Sequence, residues 1–596
     1  MSLTLALTNG LSGLIASQGA LSVVSRNVAN ANTVGYSRQE ASLEQTVIAG
    51  EGAGVNLANV SRVVDEFLIR QKREQGSVSG AADVTNTFLQ VVQARFGTPQ
   101  GNSTISNELS DFATAIDTLA NNPEDPALRF AVIAAAQSVS RAVSGLATTA
   151  QDLRGQADQE IKQSVDIVNA ELRNVFELNQ QIQAATLSGN DASTLKDQRD
   201  LAVVRIAEQV DISTFVSSNG AMSILTGRGQ SLIENELFQL QYTPAASVNG
   251  STVFGALTTV PVDPTTLAPI GAGQTLVTSG TSATVTSQID SGRLKGLFDL
   301  RDGTLNDLAD QVDTLANAVR EQYNAAHNAG VAFPPPNALT GTRAVASSDA
   351  FAGTGTMRVA VVDANGAVVG TPADIDLAAL GATTVGGLVT AINAALGADG
   401  TAAVVNGKLT ITATNSANGI AINEGSSQVT GTTQAFSHYF GLNDLFTGSG
   451  AIDFAVNTTI SSNPARLVTA RLSTTATTGQ TAVTIGDNSA IQQLGQVTDL
   501  ANSFSAVGGL LAGTFTLGEY AAAITCLNAA RGSEAEARLA LEQDLQNSID
   551  HRAASFSGVN VDEEMANMII LQNAFSASAK VMTTANEMLD TLLQMV

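Results

Sequence analysis

The chain has 596 residues, and its 54 acidic and 29 basic side chains give a formal net charge of -25, which argues against nucleic acid or an anionic membrane as a partner. Its one cysteine, Cys526, leaves no internal disulfide, no cysteine-built zinc site and no redox pair, and is expected to be a small buried apolar residue. Hydrophobic content of 44% with 4% aromatics and no tryptophan describes a folded chain with cores of Ala, Val, Leu and Ile, of a length that suits roughly four domains.

The N-terminal stretch carries Leu3, Leu7, Gly10, Leu14, Ser17, Leu21, Val24, Val28 and Ala31 at alternating spacings of three and four, with Leu11 and Ile15 widening the stripe. Before Arg38 the only charge is Arg26, so the predicted helix has an outer face of small polar residues suited to close contact on several sides. The stretch lacks the basic start of a secretory signal, and Asn9, Gly10, Ser12 and Gly13 interrupt its apolar run. No stretch of the chain reaches 18 uninterrupted apolar residues, so no membrane insertion is expected. The helix should stop between Asn30 and Gly35, where Asn and Gly cluster in NVANANTVGYSRQ.

Asn121-Asn122-Pro123 is a turn by its own chemistry. Beyond it a heptad runs through Ile161, Val165, Val168, Leu172, Val175, Asn179 and Ile182 to a charged box, Lys196-Asp197-Gln198-Arg199-Asp200. Residues 212–290 and 341–473 are rich in Thr, Gly, Ala and Val, and their short alternating runs read as strands. Helical spacing at Val385, Leu388, Ile392 and Leu396 suggests a strand-helix-strand-strand module, entered through Pro334-Pro335-Pro336. Helical pattern resumes after Gly486.

The last stretch is the most regular. Met568, Leu571, Phe575, Ser578, Met582, Ala585, Leu589, Leu592 and Val596 keep the three-four rhythm, with Asn560 and Glu563 in the positions of a capping box. The resulting seam, about 50 Å long, needs a partner. The self-assembly seam is therefore assigned to Leu3, Leu7, Leu14, Leu21, Val24 and Val28 at one end and to Met568, Leu571, Phe575, Met582, Leu589, Leu592 and Val596 at the other.

Little points to chemistry. His327, His438 and His551 lie in separate segments, and each reads as a solvated or packing histidine whose replacement should leave function intact. The acidic clusters at Asp562-Glu563-Glu564 and at Asp197 to Asp200 have ready accounts at a helix start and on a helix face. No catalytic residue, cofactor site or metal site is expected, and the chain is read as a non-enzyme.

The Asn27-x-Ala29-Asn30-x-x-Thr33-x-Gly35-Tyr36 pattern resembles the signature of the axial proteins of the bacterial flagellum, the rod, hook and hook-associated subunits. Ser37-Arg38-Gln39 narrows the resemblance to the hook-associated members, and the segments at Gly54 to Gln71, Ile105 to Arg129, Ser291 to Gly330 and Ser557 to Leu593 are similar as well. The resemblance implies a structural subunit between hook and filament, exported without a cleaved signal peptide to the flagellum outside the cell. It also implies as partners copies of itself in a ring or tube, hook protein, a second hook-associated junction protein and a cytoplasmic export chaperone. The competing reading is a secreted adhesin or surface enzyme with a helical stalk and a ligand-binding middle.

The expected fold is multidomain α+β, with a long coiled-coil-like helical core from the paired ends and β-rich outer domains between them. The expected division is an assembly helix at 1–35, a helical domain at 36–210, a middle domain of strands plus a helix at 211–340, an inserted β-rich domain at 341–475, a helical return at 476–559 and a second assembly helix at 560–596.

Overall fold

The computed structural model describes residues 3–48, 51–96, 104–381 and 383–594. In chain order the helices are α1 (Leu3–Asn30), α2 (Glu66–Phe96), α3 (Ile105–Asn121), α4 (Pro126–Leu187), α5 (Ser193–Gln209), α6 (Arg293–Asp299), α7 (Leu305–Asn328), α8 (Val385–Leu396), α9 (Phe436–Phe440), α10 (Thr458–Ser461), α11 (Ser489–Gln496), α12 (Leu517–Ser557) and α13 (Val561–Gln594). The fold is multidomain α+β, with the longest helices toward the ends and the strands concentrated in the middle. The chain closes into two compact units, Met1–Phe88 with Arg154–Gly303 and Ser533–Val596, and Leu89–Leu153 with Thr304–Gly532.

In the first unit, α1 leads into an antiparallel hairpin, β1 (Gln39–Ile48) and β2 (Glu51–Arg62), paired from Gln39 opposite Arg62 to Val47 opposite Gly52. This hairpin lies where a helical domain was expected. Its composition, mixed from Gly, Ala, Asn and Ser, gives no strict alternation. A six-stranded antiparallel meander follows, with β3 (Ile212–Val216), β4 (Met222–Thr226), β5 (Ser231–Ile233), β6 (Leu237–Gln241), β7 (Leu257–Val262) and β8 (Gln274–Val277) each pairing with the next.

Two asparagines of α4 hold this sheet as if they were strand residues. Asn169 donates to the Leu240 carbonyl and accepts from its N–H, both at 2.8 Å, and Asn179 does the same with Met222 at 2.8 and 3.0 Å. The heptad positions of α4 from Ile161 to Ile182 are all buried. Between α6 and α7, a π-helical turn at Leu300–Thr304 places the fully buried Arg301 2.7 Å from Asp158 and 2.6 Å from Asp302, with the Phe254 ring beneath its guanidinium at 3.9 Å. The Tyr242 hydroxyl also donates to Asp158, and burial pushes its pKa up. Largely enclosed and paired, these charges are structural.

In the second unit, Phe112 of α3, Tyr323 of α7 and Phe446 meet with ring centroids 4.9 to 6.0 Å apart. Arg129 clamps the turn before α4, donating to the Pro123 carbonyl at 2.9 and 3.0 Å and to the Phe333 carbonyl at 3.0 Å. The outer module holds more strands than the four expected elements. Val368–Asp376, Thr356–Val362 and Gly419–Asn423 make one sheet, while Ala338–Thr340, Lys408–Ala413 and Gly400–Val405 make another, with α8 between them in a shared core. One of the added strands, Val368–Asp376, follows a turn in which Asp363 accepts the N–H groups of Asn365 and Ala367.

Two side chains differ from expectation or sharpen it. Cys526 is exposed on α12 rather than buried, because it falls on the side of that helix opposite its buried positions Tyr520, Ile524 and Asn528. His327 is wholly enclosed, with Nδ1–H donating to the Asn443 carbonyl and Nε2 accepting the Val468 N–H at 3.2 Å.

Candidate assembly interface

Helices α1 and α13 lie antiparallel, so that Leu3 and Ala6 share a groove with Ala585 and Met588 while Tyr36 and Arg38 are near the start of α13. Asn560 caps α13 as expected, its Oδ1 accepting the N–H of Asp562 at 3.1 Å and of Glu563 at 3.4 Å. The pair closes on small residues. A Cβ at Gly10 would lie 3.0 Å from Met582 Cγ, and one at Gly13 would lie 2.9 Å from Ser578 Oγ.

The assigned seam sorts by position. Val24 is buried, and Leu3, Leu7, Leu14, Leu21, Val28, Met568, Leu571, Phe575, Met582 and Leu589 are half-buried. Leu592 is exposed, and Val596 lies outside the described residues. Most of the seam thus belongs to the better-covered side of each helix. A second set, not anticipated as such, faces outward: Leu11 and Ile15 of α1, and Ile569, Ile570, Val581 and Met588 of α13, with Ile570 63% and Leu593 73% exposed. Sequence periodicity marks an apolar stripe but does not say which flank stays open. Only Lys580, Glu587 and Asp590 bring charge to α13 after Glu564. A groove of about 520 Å³ between the helices is lined mainly by Leu3, Ala6, Ala577, Val581, Ala585 and Met588.

The motif residues form the exit from α1. Asn27, 1% exposed, donates to the Gln39 carbonyl at 2.9 Å, accepts the Gln39 N–H at 3.0 Å and accepts the Tyr36 hydroxyl at 2.8 Å. One amide side chain therefore holds the first residue of β1. Asn30 donates to the Arg26 carbonyl and receives the Thr33 hydroxyl, while the Thr33 N–H bonds back to the Asn30 carbonyl at 2.9 Å. Gly35 takes φ +82 against Leu201, a conformation that a side chain would strain. Ala29 is exposed and makes no part of this network. Burial pushes the Tyr36 phenol up to about 12, with Asp197, Glu564 and Asp191 adding to the shift against Arg26.

The charged box supports the same exit. Asp197 accepts the Ser37 N–H at 3.1 Å, and Arg62 at the end of β2 bonds to Asp197 and to Asp200, each at 2.8 Å. Burial raises the Asp197 carboxyl against the pull of Arg62. Arg38 then joins the two ends, its N–H donating to the Ser557 carbonyl at 2.9 Å and its guanidinium standing 3.4 Å from Glu563. Gln39, Arg62 and Ser557 fall in the segments that carry the resemblance, but their part in this junction was not foreseen, since single-sequence patterns do not reveal pairings hundreds of residues apart.

Three family descriptions match. Residues 89–334 match "Flagellar hook-associated protein FlgK helical domain", residues 7–36 "Flagella basal body rod protein" and residues 552–595 "Flagellar basal body rod FlgEFG protein C-terminal". Flagellar hook-associated protein 1 of Escherichia coli K12 is 27% identical over 605 residues, covering 98% of this chain and 99% of that one. The proteins of the same name from Salmonella typhimurium and Bacillus subtilis are each 30% identical, over 54% and 37% of this chain and 56% and 46% of their own lengths. Among solved structures, the flagellar hook junction protein FlgK from Burkholderia pseudomallei matches 82% of this chain and all of that one, with a TM-score of 0.50 and 16% identity. That match concerns the fold.

Proposed function

We propose, from the premise that the chain belongs to the flagellar hook-associated protein 1 family, that its paired end helices assemble it by their open apolar side. The protein is a structural subunit of the bacterial flagellum, an extracellular appendage, with its role at the hook-filament junction. The matched relatives are flagellar proteins and lend no support to an adhesin or surface enzyme.

The finer reading is a ring or tube of copies, with hook protein on one side and a second hook-associated junction protein on the other. In this reading the chain is exported uncleaved by the flagellar type III apparatus, and a cytoplasmic chaperone covers α13 beforehand. The open side of the α1–α13 pair carries it: Ile15, Ile569, Ile570 and Leu593 are more than half exposed on helices whose only charges, past the acidic start of α13, are Arg26, Lys580, Glu587 and Asp590. An apolar face of this length on the outside of a two-helix pair is unfavourable in water until a partner covers it.

The test is electron microscopy of cells that lack the gene and carry it back on a plasmid. Hooks without filaments in the deletion, restored by the native chain but not by an Ile570→Asp variant exported in equal amount, support the reading. Filaments of normal number with Ile570→Asp overturn it.

A further inference from the structure

The chain is strongly acidic, yet one cleft of its first unit is basic. Helix α2, α5 and the outer edge of the six-stranded sheet enclose about 600 Å³ lined by Arg62, Arg70, Arg73, Lys196 and Arg199 against Glu66 and Glu74. Five of the chain's 29 basic residues thus face two of its 54 acidic ones.

Among the described residues, the nearby carboxylates form ion pairs with just one of these five cations. Arg62 takes both Asp197 and Asp200, and among the described residues Arg70, Arg73, Lys196 and Arg199 form no ion pair. Arg199 is 3% exposed and spends its Nη1 on Asn179 and the Gly220 carbonyl, leaving a buried Nε–H without a partner. Burial holds the Arg73 guanidinium below its usual range, with Arg70 adding to the effect and Asp200, Glu66 and Glu74 opposing it. Burial does the same to Arg199, where Arg62 and Arg73 add to it against Asp200 and Glu66. Like charges gathered in a partly desolvated cleft are costly until an anion enters.

The rim supplies apolar contact. β3 is an edge strand of its sheet, and Phe215 is 64% and Val216 57% exposed beside the cations. The opposite side of α2, at Lys72 and Gln75, packs on α12 through Asp550 and Glu542. The cleft side is therefore the one left for another molecule.

We propose that this cleft is a contact between neighbouring copies, in which Arg70, Arg73 and Lys196 receive carboxylates of a second copy and Phe215 packs at the rim. It rests on the reading of the chain as a self-assembling subunit. Charge selects the occupant: a net charge of -25 makes the surface of a second copy predominantly acidic, and copies held close together need such a contact to offset their mutual repulsion. A contact of two unlike patches is the kind that repeats around a closed ring.

The full-length chain carrying p-benzoylphenylalanine in place of Phe215, in motile cells without the native copy, should crosslink on irradiation to a second copy. Arg70→Gln with Arg73→Gln should lower the yield about fivefold or more while leaving the melting curve of the purified chain in place. A chain with the probe in place of Ile570 is the reference. If position 570 gives the dimer and position 215 gives none, or captures another protein, the cleft contact is overturned and the assembly reading stands. If neither position gives a dimer, the assembly reading falls and takes this contact with it. A dimer at 215 that ignores the loss of both arginines overturns the role given to charge.

Discussion

Gly13 of α1 leaves the space that Ser578 of α13 occupies: a Cβ at position 13 would come within 2.9 Å of the Ser578 Oγ. Gly10 and Ser578 are both breaks in their apolar runs, and these two breaks face one another, with a Cβ at position 10 lying 3.5 Å from the Ser578 carbonyl oxygen. Gly13→Leu should therefore wedge the helices apart at a cost of about 1 to 3 kcal/mol, even though leucine favours helix. Faster proteolytic trimming of both ends, with the melting of the β-rich module unchanged, is the expected result. Gly13→Ala, a smaller intrusion, should lie between this variant and the native chain.

The two flanks of α13 predict different failures. Leu589→Asp puts a charge on the half-buried side, so the α1–α13 pair should loosen and assembly should fail with it. Ile569→Asp lies on the open side, 56% exposed, and should leave the pair closed in the monomer while abolishing assembly. Hydrogen exchange of α1 in the purified variants, with exported amount and filament counts in cells, distinguishes the two. Normal filaments with both variants would remove the end helices from the assembly mechanism.

The Asn27 amide sets the direction in which the chain leaves α1. Asn27→Leu removes its bonds to both main-chain groups of Gln39 and to the Tyr36 hydroxyl, leaving a buried N–H and C=O unpaired. Destabilisation of about 2 to 4 kcal/mol is expected, read as a loss of the β1–β2 hairpin signals in an amide exchange experiment. Asn27→Asp keeps the acceptor and loses the donor, and should cost less.

His327 separates itself from the other two histidines. Its ring is neutral, both nitrogens are engaged, and burial lowers its pKa from 6.5 to about 4. Between those values the unfolded chain binds a proton that the folded chain refuses, so stability should be level above pH 7 and fall as the pH drops from 6.5 toward 4. The total from this group is about 3 kcal/mol. His327→Ala should melt well below the native chain, contrary to what its isolation in the sequence suggests. His551→Ala, at an exposed position, should be close to silent, as chemical denaturation at pH 5 and pH 7.5 would show.

The terminal helices were legible because a three-four apolar rhythm is a local signal, and the heptad from Ile161 to Ile182 was legible for the same reason. The β1–β2 hairpin was not, since residues 42 to 60 mix Gly, Ala and Asn on both faces and leave no strict alternation to read. The α1 exit was visible as a motif but not as a mechanism. Its partners are distant, with Arg62 and Asp197 standing 135 residues apart. The open flank of the end helices also escaped notice, because periodicity marks the apolar stripe and tertiary packing decides how much of it is covered.

The bond from Arg38 to Ser557, with Arg38 and Glu563 separated by 525 positions, has a consequence in time. A ribosome adding roughly 5 to 20 residues per second needs on the order of half a minute to two minutes to make the chain between them. Throughout that interval α1 has no α13 to lie against, and closing so long a loop comes after the local contacts of the middle have formed. The end pair is thus the last part of the molecule to close. A nascent chain halted before residue 557 would carry a finished middle and a permanently single first helix.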